Sequence, residues 1–137
     1  MNIHEYQGKA LFRESGIAVQ DGVHCTSVEQ ALAAYDSLGS EVVAVKSQIH
    51  AGGRGKGSLY TPDTGKLAME GGVKIAFSRD EVESYASNIL GHRLVTKQTG
   101  PSGKMVSNLY IEAGCAISHE YYPVSYTHLT LPTILLV

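Results

Sequence analysis

The sequence predicts an α/β or α+β layer fold, in which helices pack against a β-sheet. Segments with helical spacing of apolar residues alternate with short apolar, β-branched segments along the 137 residues. A hydrophobic fraction of 43% with 18% charged residues is typical of a globular chain with a buried core. The formal net charge of −2 argues against a dedicated nucleic-acid binder, so any anion site must be local.

Residues 2–14 are predicted to form the first helix. Asn2 is the expected cap, with Glu5 three positions later, and Gly16 is expected to end the helix. Its expected apolar face contains Ile3, Tyr6, Ala10 and Leu11.

An extended segment and a second helix are expected next. Residues 16–25 are predicted to be extended, with a turn at Asp21-Gly22. Ser27 and Gln30 then form a capping pair at the start of a helix that ends at Gly39.

A buried strand is predicted from Glu41 to Ile49, since this segment is apolar and β-branched, and it leads into a glycine-rich loop. Residues 58–72 contain Pro62 and are predicted to be irregular. A short strand is expected at Val73–Phe77.

The last predicted elements are one helix and two strands. Ser78 pairs with Glu81 to cap a helix that stops at Gly91. The strands, Arg93–Gln98 and Asn108–Ala113, flank the turn TGPSGK.

The glycine loop lies within VKSQIHAGGRGKG, residues 45–57, and it fails two known phosphate motifs. A P-loop needs a glycine where His50 stands and a serine or threonine where Gly57 stands. The dinucleotide fingerprint fails because the last glycine has the wrong spacing and no helix start follows. The loop could still bind an anion, because glycines expose backbone N–H groups, and Lys46, Arg54 and Lys56 add positive charge.

The position of Lys46 indicates an anion site, because a cation on an apolar strand needs a partner, which a polyphosphate could supply. The alternative is a flexible turn with a lysine that reaches solvent. Glu112 and Glu120 could accept hydrogen bonds from a base amine or ribose hydroxyls, or they could be surface glutamates.

Other site types find little support in the sequence. The two cysteines form no CxxC pair, and the six histidines show no metal-ligand spacing, although His50 is a further candidate for phosphate contact. Neither a signal peptide nor a membrane-spanning run is evident, so a reducing, cytoplasmic location is expected.

Four motifs carry a resemblance to a known family: MNIHEYQGKALFRESGI, VKSQIHAGGRGKG, LVTKQTGPSGK and LYIEAG. Together they resemble the amino-terminal part of the succinate–CoA ligase β subunit, from Met1 to about Tyr122. The resemblance implies an ATP-grasp fold, with the first subdomain and the start of the second, and therefore an incomplete domain.

The resemblance also implies site residues for ATP or GTP. Lys46 matches the lysine that contacts the phosphates, and the stretch Gly53, Arg54 and Gly55 matches the loop that closes over them. The residues matching the base and ribose contacts are Glu112 near the adenine, Cys115 beside the base and Glu120 at the ribose.

For the full-length family, the resemblance implies formation of succinyl-CoA from succinate, CoA and ATP through a phosphohistidine on an α subunit, within the tricarboxylic acid cycle. The Mg²⁺ ligands, an Asn and an Asp, come from a later part of the domain, so this chain is expected to be inactive alone. Malate–CoA ligase shares the same start and is an alternative, as is a stand-alone nucleotide-binding module.

Residues 124–137 are expected to lie outside the domain, which is predicted to span residues 1–123. The peptide VSYTHLTLPT can be encoded by GTCTCTTATACACATCTGACGCTGCCGACG, which looks like a translated transposon-end sequencing adapter. This resemblance indicates a truncated gene product with a non-native tail.

Overall fold

The computed structural model describes residues 3–114, which form three α-helices and two four-stranded sheets. The helices are α1 (Glu5–Glu14), α2 (Val28–Leu38) and α3 (Arg79–Ile89). The strands, in chain order, are β1 (Gly22–Cys25), β2 (Val43–Ser47), β3 (Ser58–Tyr60), β4 (Leu67–Glu70), β5 (Val73–Ala76), β6 (Arg93–Val95), β7 (Lys104–Met105) and β8 (Leu109–Ala113). No helix within the described part is long and apolar enough to cross a bilayer.

Both sheets are antiparallel, which decides between the two predicted fold classes in favour of α+β. The first sheet has the order β1-β8-β2-β5, and the second has the order β4-β3-β6-β7. The strand β8 lies between β1 and β2 although it is the last described strand. The site residues on β2 and β8 are thereby neighbours in space.

The hydrophobic core lies between α2, α3 and one face of the first sheet. Val45 on β2 is opposite Ile111 on β8, and both side chains are fully buried. The two helices supply the buried residues Ala31, Ala34, Val82, Ala86 and Ile89. The apolar residues at helical spacing in α2 and α3 are therefore in the core, as the sequence predicted.

The predicted caps of α2 and α3 are confirmed. The side chains of Ser27 and Ser78 accept hydrogen bonds from the backbone N–H groups of Gln30 and Glu81, respectively. At the end of α2, Gly39 adopts the left-handed conformation that favours glycine. These local signals positioned both helices correctly.

The predicted start of α1 is wrong. The helix begins at Glu5 with His4 as its cap, and the His4 N–H donates to the side chain of Gln7. The predicted cap, Asn2, lies outside the described residues. Glu5 takes no part in this cap, and its carboxylate contacts Lys46 on β2.

The predicted apolar face of α1 is also wrong. No apolar residue of α1 is buried, and Leu11 is 55% exposed. Instead, Glu5, Lys9 and Arg13 contact groups of the first sheet, on the face opposite the core. The polar face of α1 lies against the sheet because β2 and β8 present charged and hydroxyl partners there.

The segment 58–72, predicted to be irregular, contains the hairpin of β3 and β4. Its connection is closed by hydrogen bonds from the N–H groups of Lys66 and Gly65 to Thr61. Pro62 lies in the turn, where it interrupts no strand pairing, so the pattern was a turn signal.

Two further predictions about strands need correction. The predicted turn at Asp21-Gly22 is wrong, because Gly22 belongs to β1 and pairs with Glu112. The predicted strands 93–98 and 108–113 correspond to the shorter β6 and β8, which belong to different sheets. The strand β7, which pairs with β6, was not predicted.

Gly22 is a position where a side chain has no room. A Cβ atom there would lie 2.3 Å from the Tyr110 ring, and Tyr110 is only 2% exposed. We expect Gly22→Ala to lower the free energy of unfolding by about 1–2 kcal/mol through overpacking. Urea unfolding followed by circular dichroism measures this loss.

Gly55→Ala is the matched control, because a Cβ atom at Gly55 meets nothing within 4 Å. Equal stability of the two variants would contradict the crowding at Gly22.

Candidate functional site

Five charged side chains meet where α1 crosses β2 and β8. We call them the charge cluster, and they are Glu5, Lys9, Lys46, Arg54 and Glu112. Three cations and two carboxylates leave one net positive charge. The side chains are 6–18% exposed, so solvent screens their interactions only weakly.

Lys46 joins the two carboxylates of the charge cluster. Its ammonium group lies 3.0 Å from Glu5 Oε2 and 2.8 Å from Glu112 Oε1. On the sheet, Lys46 is opposite Tyr110, so Lys46 and Glu112 are diagonal neighbours on one face. The partner that the sequence required for Lys46 is therefore present within the protein.

Glu5 accepts contacts from four side chains. Besides Lys46, its Oε2 lies 3.1 Å from the Lys9 ammonium, one helical turn away. Its Oε1 accepts from Arg54 Nη2 at 3.2 Å and from Gln48 Nε2 at 3.3 Å. These donors come from the helix, the strand and the loop, so one carboxylate ties three parts of the chain together.

Arg54 brings the glycine loop to the charge cluster. Its Nη1 donates to the Ser47 carbonyl at 2.6 Å, while Nη2 reaches Glu5. The loop turns at Gly53, whose φ of 75° is in the left-handed region, and a short 3₁₀ turn follows at Arg54–Lys56. The Arg54 carbonyl accepts from the Gly72 N–H at 2.7 Å, which fixes the loop beside β5.

The pKa values show how strongly the charge cluster favours ionised groups. Burial raises the pKa of the Glu5 carboxyl, but Lys46 and then Lys9 outweigh this effect and lower it to about 2. Burial lowers the pKa of Lys9, but its hydrogen bonds to Glu112 and Glu5 outweigh burial and raise it. Both groups are therefore charged at neutral pH.

Stacked aromatic rings lie beside the charge cluster. The rings of His4 and His50 stack with centroids 4.0 Å apart, and those of Tyr6 and His24 stack 3.9 Å apart. Burial, followed by the charges of His50, His24 and Arg54, lowers the pKa of His4. The ring contacts hold the first turn of α1 against β1 and the residues that follow β2.

The structure brings together three of the predicted site residues, Lys46, Arg54 and Glu112. Gly53 and Gly55 flank Arg54 in the loop. Cys115 and Glu120 lie outside the described residues. Sequence reasoning missed Glu5 and Lys9, although their i,i+4 spacing on one helix was a usable signal.

The arrangement is suited to holding an anion. Lys46 and Arg54 both direct N–H donors at one carboxylate, and a phosphate oxygen accepts the same kind of hydrogen bond. Within residues 3–114, no group of three or more histidine, cysteine, aspartate or glutamate side chains could hold a metal ion.

Comparisons with known proteins add a family context. The family model of the ATP-grasp domain matches residues 2–128 of this chain. The chain is 57% identical over 122 residues to the succinate–CoA ligase [ADP-forming] subunit beta of Campylobacter fetus subsp. fetus (strain 82-40). It is 53% identical over 122 residues to the proteins of the same name from Staphylococcus aureus strains JH9 and Newman. These alignments cover 89% of this chain but only 28% of the length of each relative.

Proposed function

Since this chain belongs to the ATP-grasp domain family, we propose that it is the nucleotide-binding amino-terminal portion of an ADP-forming succinate–CoA ligase β subunit. The single observation that supports phosphate binding is the convergence of Lys46 and Arg54 on one anionic group, Glu5. The identity of 53–57% to ligase β subunits supports the reaction class.

In this proposal, the chain holds the nucleotide and neutralises its phosphates. Lys46 on β2 and Arg54 in the loop contact phosphate oxygens, while Gly53 and Gly55 allow the loop backbone to approach them closely. Glu112 and Cys115 contribute near the adenine, and the ribose hydroxyls bind Glu120. Phosphoryl transfer depends on such positioning and charge neutralisation, so these residues act on the phosphates rather than as acids or bases.

The complete reaction requires parts that lie outside the chain. We propose that an α subunit carries the phosphohistidine and that the complex forms succinyl-CoA from succinate, CoA and ATP in the cytoplasm. Mg²⁺ would neutralise phosphate charge, with its ligands supplied by the later part of the full-length β subunit. The chain alone is then inactive as a ligase, and its own measurable property is nucleotide binding.

We expect Lys46→Ala in the 137-residue chain to weaken ATP binding about tenfold or more, because the phosphates lose a charge-assisted hydrogen bond. Isothermal titration with ATP, GTP and tripolyphosphate measures the effect and separates phosphate recognition from base recognition.

Lys66→Ala is the matched control for this measurement, since Lys66 is an exposed lysine in the hairpin turn. Equal losses in both variants would indicate a general charge effect. Unchanged ATP affinity in a folded Lys46→Ala variant would remove Lys46 from the site.

A chimera tests the reaction itself. The 122 aligned residues of the Campylobacter fetus relative are replaced by those of this chain, and the product is expressed with that organism's α subunit. We expect ADP-forming succinate–CoA ligase activity, which Lys46→Ala reduces. A folded, assembled chimera without activity would contradict the proposed function.

The boundary at residue 123 is a separate proposal, in which residues 124–137 are a non-native tail encoded by adapter sequence. The gene is amplified from its source with a primer inside codons 1–123 and sequenced outward. A genomic sequence that continues through codons 124–137 would contradict the adapter origin. The same read, if longer, would reach the region expected to distinguish succinate from malate.

A further inference from the structure

Glu5 contacts the same cations that the proposed function assigns to phosphates. Its Oε2 lies 3.0 Å from Lys46 Nζ, and its Oε1 lies 3.2 Å from Arg54 Nη2. Lys46 comes from the strand and Arg54 from the loop after it, so the carboxylate spans the two sides of the proposed phosphate site. A phosphate oxygen that approached these cations would compete with Glu5 for the same N–H donors.

The contacts of Glu5 resemble those of a bound oxyanion more than those of an ordinary helical salt bridge. Four side chains donate to its two oxygens, and its side chain is only 7% exposed. An exposed i,i+4 pair with Lys9 alone would contribute little, and it would leave Lys46 paired only with Glu112 and Arg54 without a carboxylate partner. Here the carboxylate satisfies both cations at once.

Glu5 is also placed so that its release leaves the core intact. It is the first residue of α1, and no apolar residue of that helix is buried in the core. The described polar contacts of α1 with β2 and β8 pass through Glu5, Lys9 and Arg13. Loss of the Glu5 contacts would therefore leave the first turn of α1 held by the ring contacts of His4 and Tyr6, without disrupting the hydrophobic core, which lies on the opposite face of the sheet.

We propose that Glu5 is an internal mimic of the nucleotide phosphates, which holds Lys46 and Arg54 in an autoinhibited arrangement until a polyphosphate displaces it. This inference rests on the proposed function and adds a regulatory contact to the same site. Nucleotide binding then exchanges one anion for another at the two cations and releases the Glu5 side chain from the sheet. Lys9 remains paired with Glu112, Arg13 with the Tyr110 hydroxyl, and the Tyr6 ring stays stacked on His24, so the helix keeps these contacts.

The test compares Glu5→Gln with the parent 137-residue chain. The glutamine keeps the size of the side chain and removes its charge, so we expect ATP and tripolyphosphate to bind about tenfold more tightly. The matched control is Glu14→Gln, which makes the same charge change at an exposed position at the other end of α1. Its affinity for both probes should stay within about twofold of the parent.

A second measurement uses the parent chain and does not depend on the stability of a variant. The carboxyl carbon of Glu5 is followed by nuclear magnetic resonance while tripolyphosphate is added. Displacement from Lys46 should move the Glu5 pKa upward from about 2 towards the ordinary value of 4.5. The Glu14 carboxyl serves as the internal reference.

The outcomes separate the two proposals. If Lys46→Ala weakens binding while Glu5→Gln binds no more tightly than the parent, or the Glu5 titration does not move, the displacement inference is overturned and the proposed function stands. If the parent chain binds neither ATP nor tripolyphosphate, both proposals are overturned. Tighter binding by Glu5→Gln alone, with an unchanged Glu14→Gln control, supports displacement.

Discussion

Glu112→Ala is expected to lower the free energy of unfolding by about 3–5 kcal/mol, because it removes one partner from a buried charge network. Glu112 is 6% exposed and pairs with both Lys46 and Lys9. Without it, Glu5 alone must balance three cations on one face of the sheet. Such a loss is a large part of the 5–15 kcal/mol that typically stabilises a domain.

Far-UV circular dichroism in urea measures the change, which suits a chain with no tryptophan. Glu83→Ala, at an exposed position in the middle of α3, is the control and should change stability by about 0.5 kcal/mol or less. A loss below about 1 kcal/mol for Glu112→Ala would show that solvent, rather than Glu112, balances the cations.

A double-mutant cycle isolates the interaction between Glu112 and Lys46. The single variants Glu112→Ala and Lys46→Met are compared with the double variant. We expect a coupling energy of about 1–3 kcal/mol, since the two groups are in direct contact within one network. Additive losses would instead indicate that each side chain acts through other neighbours.

The parts of the fold that were predicted from the sequence are those with local signals. The helices α2 and α3 each combine a serine cap with apolar residues at helical spacing, and both signals lie within one element. The hairpin of β3 and β4 was missed because Pro62 was taken as a sign of irregular structure, although it lies in the turn between the two strands. The short strand β7 carries no periodic pattern, since it is only two residues long.

The first helix shows why local reasoning also failed at the site. Apolar spacing predicted that Leu11 would be buried, whereas Glu5 and Lys9 face the sheet. The cause is the charged partners Lys46 and Glu112, which lie far away along the chain. A sequence pattern shows that Lys46 needs an anionic partner, but it does not show that the first residue of α1 supplies one.

The candidate site was predicted only in part for the same reason. The glycine loop and Lys46 were identified because their chemistry is visible within a short stretch. Glu112 was a candidate because of the family resemblance and a general argument about carboxylates, and the structure places it beside Lys46. Its proposed contact with the base remains a prediction, as do the roles of Cys115 and Glu120.

Acid is expected to destabilise the chain in a way that Glu5 controls. The folded-state pKa of Glu5 is about 2, below the ordinary value of 4.5, so the unfolded chain binds more protons between these values. The stabilisation from Glu5 is therefore fully present above about pH 5 and is lost as pH falls towards 2. With a discount for solvent screening, we expect this contribution to be about 2–3 kcal/mol.

His4 acts in the same direction at higher pH. Burial and the nearby charges of His50, His24 and Arg54 lower its pKa below 6.5, so protonation favours the unfolded chain. Stability should therefore begin to fall below about pH 6.5 and fall further through the Glu5 range.

The variants Glu5→Gln and His4→Asn separate the two contributions when urea unfolding is repeated from pH 7 to pH 2.5. Glu5→Gln should flatten the profile below pH 5 and leave the fall near pH 6 in place, whereas His4→Asn should remove the earlier fall. Because Glu14 shares the helix but not the charge cluster, Glu14→Gln should reproduce the parent profile. If Glu5→Gln has the same acid dependence as the parent, then Lys46 and Lys9 do not hold the Glu5 carboxylate ionised, and the Glu5 ion pairs do not stabilise the fold.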